Sequence, residues 1–582
     1  MTLRLPKDAG ERTLLVLLLL ATFLLVLEPG RVPLFEPDEG RYGEIPREML
    51  ATGDWVTPRL NGLLYFEKPP LFYWAVAISF RILGETEFAA RLPNQLASVA
   101  MVLLAAGFAA RRWGARTGLL AGVVTGSSLL VFVMARIVTI DPMLSLSLSG
   151  AAFAFAAFQE AEQRGDVRSA RRALFGLHVA CAAAVMLKGL IGIVLPGGAI
   201  LVFTALSGRW RLVPKLFSPG PLLLFLLLVV PWHVEMARRH PDFLNFYFVH
   251  EHFDRFARSG HRRGGSPFYF VAVLLAGFVP WTGFFGRFRE TFPLRLLAFR
   301  ERGTESFLWT WALLVFLFFS VSRSKLIPYL EPIWPALAVL LACGIEKSRQ
   351  RGARFLVERS ATALIFGALL VAGVAWGLGA GFLADWGREG LGLAALSALG
   401  VGFLVNVSPR LFERFTPSAP GWSRADPVPW IAVPWAAFLL GAILLLPAAA
   451  RRITPWPLLK VVLRELGPDD LLLQRGHYLQ ALPFYTKRLT PIAILAWHEL
   501  NFGRTRDGSA GMFPTEEEFR AVWNGPGRVL AVVNYAHVRD FLDPGTGLSP
   551  GHELARTATG KYVLLTNRLN AAVPGDAGVP RR

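Results

Sequence analysis

Charge is scarce in this chain. Of its 582 residues 18% are charged, against about a quarter in an ordinary soluble domain, while 53% are hydrophobic and mean hydropathy is +0.43. Such a composition excludes a disordered chain. There are only two cysteines, Cys181 and Cys343, each inside an apolar run, which excludes a disulfide scaffold. The sequence shows no internal repeat, and its last 130 or so residues carry no metal-ligand spacing, P-loop or dinucleotide fingerprint. Acidic residues are outnumbered 42 to 61, for a net charge of +19. In a membrane protein that excess points to anionic lipid rather than nucleic acid.

What is abundant is apolar sequence in lengths that span a bilayer, which takes about 20 residues. Thirteen spans are expected near 13–27, 91–110, 117–135, 142–158, 173–187, 190–206, 220–236, 267–285, 307–321, 327–344, 360–383, 391–407 and 430–447. The first reads as an uncleaved span. The stretch 70–83 is short, opens on Pro69-Pro70 and contains Arg81, so it reads as lying along the membrane surface. Arg and Lys collect at the N-terminus and in alternate loops, around 111–116, 164–172, 209–215, 287–302 and 347–359. That side is expected to be cytoplasmic. An odd number of spans then puts the tail on the outside. The tail, 451–582, has strand-like runs at 471–473, 528–534 and 561–566 with Gly, Pro and Asn between them, and reads as a small α/β domain. The organisation expected is 1–450 transmembrane, with a first outer loop at 28–90 and a basic outer loop at 237–266, followed by the soluble domain 451–582.

The informative charges lie on the outer side, where they should be sparse. The first outer loop holds FEPDEGRYGEIPREML and LLYFEKPPLFYW; the second is RIVTIDP, 136–142. Lys188 sits in MLKGLIG, and Lys325 and Tyr329 in SRSKLIPY. The fourth loop, 237–266, gathers Arg238, Arg239, Arg255, Arg258, Arg262 and Arg263 with His240, His250, His252 and His261. Ionisable groups at membrane depth cost several kcal/mol and are functional candidates by default. Each also has a plainer reading. Asp38 after Pro37 can cap a helix whose polar face is Arg41, Glu44 and Glu48 and whose apolar face is Tyr42, Ile45 and Met49. Asp141-Pro142 is an N-cap followed by proline at N1. Lys68 and Lys188 can snorkel from span ends, and the basic loop can attract headgroups nonspecifically. Glu67 with His250 and His252 is a slender candidate for a divalent cation, the one cofactor this sequence suggests. Carboxylates beside clustered cations suit a lipid phosphate and a reacting hydroxyl or sugar carbon: transfer from a polyprenyl-phosphate carrier uses all of these parts.

PDEGRYGEIPREMLATGDWVTPRLNGLLYFEKPPLFYW resembles the signature of the aminoarabinose–lipid A transferase family, membrane glycosyltransferases of the GT-C type related to protein O-mannosyltransferases. The similarity continues in order through ARIVTIDP, MLKG, VPWH, FYFVHEHFDRF, PFYFVAVLLAGFVPW and FFSVSRSKLIPYLEP, over about 330 residues. The resemblance implies a GT-C fold of thirteen transmembrane helices, with surface-lying helices in the first periplasmic loop and a C-terminal periplasmic domain. It implies transfer of aminoarabinose from undecaprenyl phosphate to a lipid A phosphate, with inversion, at the periplasmic face of a bacterial inner membrane. Residue by residue, Asp38 matches the catalytic carboxylate and Asp141 the second acidic position. Arg41, Lys68, Lys188, Arg255, Lys325 and Tyr329 match the donor-phosphate site; Glu39, Glu44 and Tyr65 support it. Glu67 with a histidine at 250–252 matches a cation-binding spot. A phosphate acceptor needs no strong base, so Asp38 would steady the reacting carbon; a hydroxyl acceptor would make it a general base. A sibling transferase using another sugar, or a protein, core oligosaccharide or other glycan as acceptor, fits the same motifs. A lipid or sugar transporter fits less well, lacking repeats and mid-membrane charges.

Overall fold

The computed structural model describes residues 8–28, 32–247, 266, 268–293, 296–379, 391–407, 426–495, 499–506 and 509–569. The chain divides into two compact units. One contains 1–29, 66–84 and 88–445; the other contains 30–65, 85–87 and 446–582. Most of the first outer loop thus packs with the C-terminal segment rather than with the spans. The boundary expected at 450 falls inside a helix, Val428–Ile453.

The first unit is helical. Nine helices among the described residues are long and apolar enough to cross a membrane, and ten if the bent pair Tyr269–Gly277 and Trp281–Glu290 counts as one. This is fewer than the thirteen expected, for local reasons. The span expected at 117–135 is interrupted at Ser128, between helices Ala115–Ser127 and Leu129–Met134. The stretch expected at 267–285 turns by 103° between Gly277 and Trp281. Gly277 packs so tightly that a Cβ there would lie 2.7 Å from Trp334, and Pro280 lacks the amide a continuous helix needs. Ile191–Ser207 is 17 residues, and Leu391–Val407 is described as an apolar segment of similar length. Leu71–Leu83 is a 13-residue helix, about 20 Å long, short of the roughly 30 Å hydrocarbon core.

The second unit centres on a five-stranded sheet. Its order is 492–493, 471–475, 529–534, 562–566, 552–556; the first three strands are parallel, 562–566 runs antiparallel to them, and 552–556 is antiparallel to 562–566. The middle strand VLAVV is buried on both faces, so it reads as an unbroken apolar run. Val529, Ala531 and Val533 pack with Phe519, Trp523 and Phe541 on one side. Leu530 and Val532 pack with Leu458, Leu459 and Val462 on the other. The three strands expected are found. Two edge strands are additional: Ile492–Ala493 is too short for a pattern, and His552–Arg556 is exposed and charged, as edges commonly are.

Candidate functional site

Within the second unit, helix Asp38–Thr52 carries the PDEGRYGEIPRE motif. Pro37 holds the N-cap position, and Asp38 makes no capping bond. Glu39 reaches back instead: its Oε2 accepts the Phe35 amide at 2.8 Å, and Glu39 is wholly buried. Asp38 stays 57% exposed in the first turn, where the helix dipole favours its anion, with Arg41 3.3 Å away. Arg41 also pairs with Glu499 and lies over the Tyr42 ring at 5.7 Å. The cap-only reading of Asp38 is thus replaced by an open carboxylate beside a fixed guanidinium.

The expected polar face of this helix is not solvated. Glu44 and Glu48 are as buried as Ile45 and Met49. Arg47 binds Glu44 through two hydrogen bonds of 2.6 Å, and Glu48 Oε2 accepts the Gly62 amide at 2.9 Å. Burial raises the affinity of both carboxyls for a proton; the neighbouring Glu44 raises that of Glu48 further, while the bonds from Arg47 and Glu48 to Glu44 partly offset its rise. Glu44 is therefore an interior ion-pair residue. Gly62 belongs to an Asn61-Gly62 turn, both at positive φ, joining strands Arg59–Leu60 and Leu63–Leu64. Asn61 is pinned to the Thr490 backbone by bonds of 2.8 and 2.9 Å. Two residues that sequence reasoning passed over complete this cluster. Glu36 accepts the amides of Gln480 (3.0 Å) and Ala481 (2.6 Å), and burial pushes its pKa up to about 7. Tyr478 is fully buried near Glu36, Glu44, Glu48 and Glu499; burial and those anions raise its pKa well above the usual tyrosine range. Tyr65 is buried close enough to Arg41 to act on its charge.

Within the first unit, the turn RIVTIDP is held from several sides. Asn94 donates to the carbonyls of Ile137 (2.6 Å) and Thr139 (2.8 Å), and Arg136 donates to the carbonyls of Leu24, Leu27 and Phe132. The turn delivers Asp141 to the start of helix Asp141–Gln163, with Pro142 in its first turn. The N-cap position belongs to Ile140, and the Asp141 carboxylate makes no capping bond. One carboxylate oxygen accepts from Thr139 at 3.0 Å, the other from Lys188 Nζ at 2.6 Å. The Lys188 ammonium also lies 5.0 Å from the Tyr329 ring, within cation–π range. Lys188 therefore does more than snorkel: three distant segments meet around it.

Lys68 lies 4.0 Å from the Glu67 carboxylate and donates to the Glu67 carbonyl at 2.9 Å. The preceding Phe66 packs on His240 and Phe243, with Trp232, His233 and Tyr247 behind them. VPWH at 230–233 thus supplies an aromatic seat for the EKPP segment. Lys325 is employed differently from expectation. Its ammonium donates to the carbonyls of Ser320 (2.7 Å) and Ser322 (2.9 Å), closing the C-terminal end of helix Gly303–Val321, where a cation suits the dipole. Arg255, His250 and His252 lie outside the described residues, so the expected cation set with Glu67 has one described member. Among the described residues no three His, Cys, Asp or Glu side chains are grouped to hold a metal.

The model of the dolichyl-phosphate-mannose-protein mannosyltransferase family matches residues 13–247, and that of the aminoarabinose transferase C-terminal domain matches 458–558. The undecaprenyl phosphate-α-4-amino-4-deoxy-L-arabinose arabinosyl transferase of Edwardsiella ictaluri is 30% identical over 534 residues, covering 88% of this chain and 91% of that protein. This chain belongs to the aminoarabinose transferase family. A second enzyme of that name, from Sodalis glossinidius, is 36% identical over 361 residues, spanning 61% of this chain and 62% of its own length. Among solved structures, ArnT from Cupriavidus metallidurans bound to undecaprenyl phosphate has a TM-score of 0.79 at 28% identity, covering 97% of this chain and 99% of that one. Its apo form gives 0.77 at 27% identity. The aminoarabinose transferase fold, a polytopic GT-C helical membrane domain with a C-terminal α/β domain, is therefore the fold of this chain.

Proposed function

We propose that this protein transfers 4-amino-4-deoxy-L-arabinose from undecaprenyl phosphate to a phosphate of lipid A, with inversion, at the periplasmic face of a bacterial inner membrane. The observation that carries this reading is Asp38. On a helix whose other acidic residues are all buried, it alone is exposed, and Arg41 stands beside it. Membership of a family named for the donor supports the sugar and the carrier.

An acceptor phosphate is already ionised at neutral pH, so no proton need leave it. Asp38 then supports positive charge building on the anomeric carbon as the bond to the carrier phosphate breaks. The departing undecaprenyl phosphate gains negative charge, which Arg41, Lys68, Lys188 and Arg255 stabilise, with Tyr329 orienting the Lys188 ammonium. Lys325, committed to a helix end, acts on the site through the position of its loop. With a hydroxyl acceptor the same Asp38 would serve as general base.

The test is mass spectrometry of lipid A from cells that make the lipid-linked donor but lack their own transferase. An aminoarabinose adduct with the wild-type chain and none with Asp38→Ala supports donor, acceptor and catalytic residue together. No adduct with either, both present in the membrane and a known transferase active alongside, rejects lipid A or this sugar.

A further inference from the structure

Helix Asp141–Gln163 carries three polar residues one turn apart, Asp141, Ser145 and Ser149, which a period of four places on one face. Asp141 holds Lys188. Ser145 Oγ donates to Glu331 Oε2 at 3.1 Å, and Ser149 Oγ donates to the Pro332 carbonyl at 3.1 Å. The same carbonyl accepts from Trp311 Nε1 at 3.1 Å. Both serines thus grip the short helical turn Ile327–Ile333, which presents Tyr329 two residues before Glu331. Tyr329 in turn lies against the Lys188 ammonium. The contacts close a circuit: Lys188 to Asp141, along the helix to Ser145, across to Glu331, along the turn to Tyr329, and back to Lys188.

Glu331 is wholly buried, and its Oε1 has no hydrogen-bond partner among the described residues. A carboxyl group is a costly way to fill such a place, since leucine packs without polar atoms and an unbonded polar oxygen is unfavourable. Its presence is accounted for by what the Ser145 bond holds. We propose that Glu331 is a positioning residue of the donor-phosphate site: by tying the 327–333 turn to the Asp141 helix, it fixes the Tyr329 ring and so limits the rotamers of Lys188. A lysine on its four-carbon stem then meets the lipid phosphate already ordered, without losing that freedom on binding. This inference rests on the reading of Lys188 and Tyr329 as groups that hold the donor phosphate.

The experiment uses the full chain in detergent, measuring kcat and KM for the lipid-linked donor, Kd for undecaprenyl phosphate, and the thermal midpoint. Glu331→Leu and Ser145→Ala should each raise donor KM and undecaprenyl phosphate Kd about tenfold, with kcat within about threefold of wild type. Glu331→Gln, whose amide oxygen still accepts from Ser145, should stay within about threefold on every reading. Unchanged KM and Kd in Glu331→Leu and Ser145→Ala would overturn the proposal. So would a lowered midpoint with kcat and KM changed alike and no rescue by Gln, which marks a packing role. If Glu331→Leu does not accumulate, Ser145→Ala and Glu331→Gln decide alone. Lys188→Met is the control on the underlying reading: wild-type Kd there rejects Lys188 as a phosphate ligand. A weakened Lys188→Met beside an unaltered Glu331→Leu and Ser145→Ala rejects only the role of Glu331.

Discussion

Replacing Asp38 with asparagine separates chemistry from folding, because the structure sets the two costs apart. The side chain is 57% exposed, makes no capping bond, and has a single 3.3 Å ion pair to Arg41. Losing its charge forfeits a helix-dipole interaction of about 0.3–1 kcal/mol and a partly solvated ion pair of about 0.2–1 kcal/mol. A stability loss near 1 kcal/mol follows, a shift of about 2–4 °C for a unit of this size. Arg41 keeps its partner Glu499, so the helix is not left with an isolated buried cation. Catalysis has more to lose. Removing a carboxylate that supports the reacting carbon or takes a proton costs about 10²–10⁴ in rate, or about 2.7–5.5 kcal/mol. The assay is turnover of lipid-linked donor onto lipid A by purified Asp38→Asn, alongside its thermal midpoint. Turnover above a tenth of wild type would refute the catalytic role. A midpoint lowered by 10 °C or more would show that Asp38 is structural.

The remaining predictions concern residues around these clusters. Lys188→Met leaves Asp141 without its 2.6 Å partner in a site where both side chains are less than a quarter exposed, and should destabilise by about 2 kcal/mol. The double variant Asp141→Asn/Lys188→Met should regain at least half of that, and strictly additive thermal shifts would exclude the coupling. Glu36 has its pKa raised from 4.5 to about 7, so the folded state binds that proton more tightly than the unfolded state. Its contribution to stability is therefore greatest below about pH 4.5 and is lost as pH rises to about 7. The thermal midpoint of wild type minus that of Glu36→Gln should fall between pH 5 and pH 8; a constant difference would contradict the shift. Gly40→Ala would set a Cβ 2.5 Å from the Ala481 amide nitrogen and 2.8 Å from the Gln480 carbonyl carbon, both backbone atoms. It should cost at least about 1–3 kcal/mol and lower transfer with Asp38 intact, and a wild-type midpoint would refute it.

Much of the candidate site was legible because charge is conspicuous where lipid should be. Asp38, Asp141 and Lys188 stood out as ions in apolar or outer sequence, and the structure gives each a defined setting. Their plainer readings failed for local reasons. Pro37 and Ile140 hold the N-cap positions expected of Asp38 and Asp141, and neither aspartate makes a capping bond. The polar face expected at Glu44 is not solvated because amphipathic spacing assumes one wet face, whereas this helix is enclosed from Glu39 to Met49. Glu36 and Tyr478 had no periodic signal, since each matters through a neighbour hundreds of residues away in the chain. Asn61-Gly62 does carry a signal: an Asn-Gly pair between apolar residues marks a hairpin turn.

The sequence by itself determined that this is a membrane protein, where most of its helices run, and which ions are out of place, since transfer of apolar residues and charges between water and lipid depends on composition and length alone. The buried strands of the C-terminal domain were equally plain, because an unbroken apolar run bounded by turn residues has few other uses. Only the tertiary structure decided that residues 30–65 pack with the C-terminal segment, that Lys325 closes a helix while Lys188 faces Asp141 and Tyr329, and that Glu331 joins two segments 186 residues apart. Those outcomes depend on pairings between distant parts of the chain, and a pairing has no period to read along the sequence.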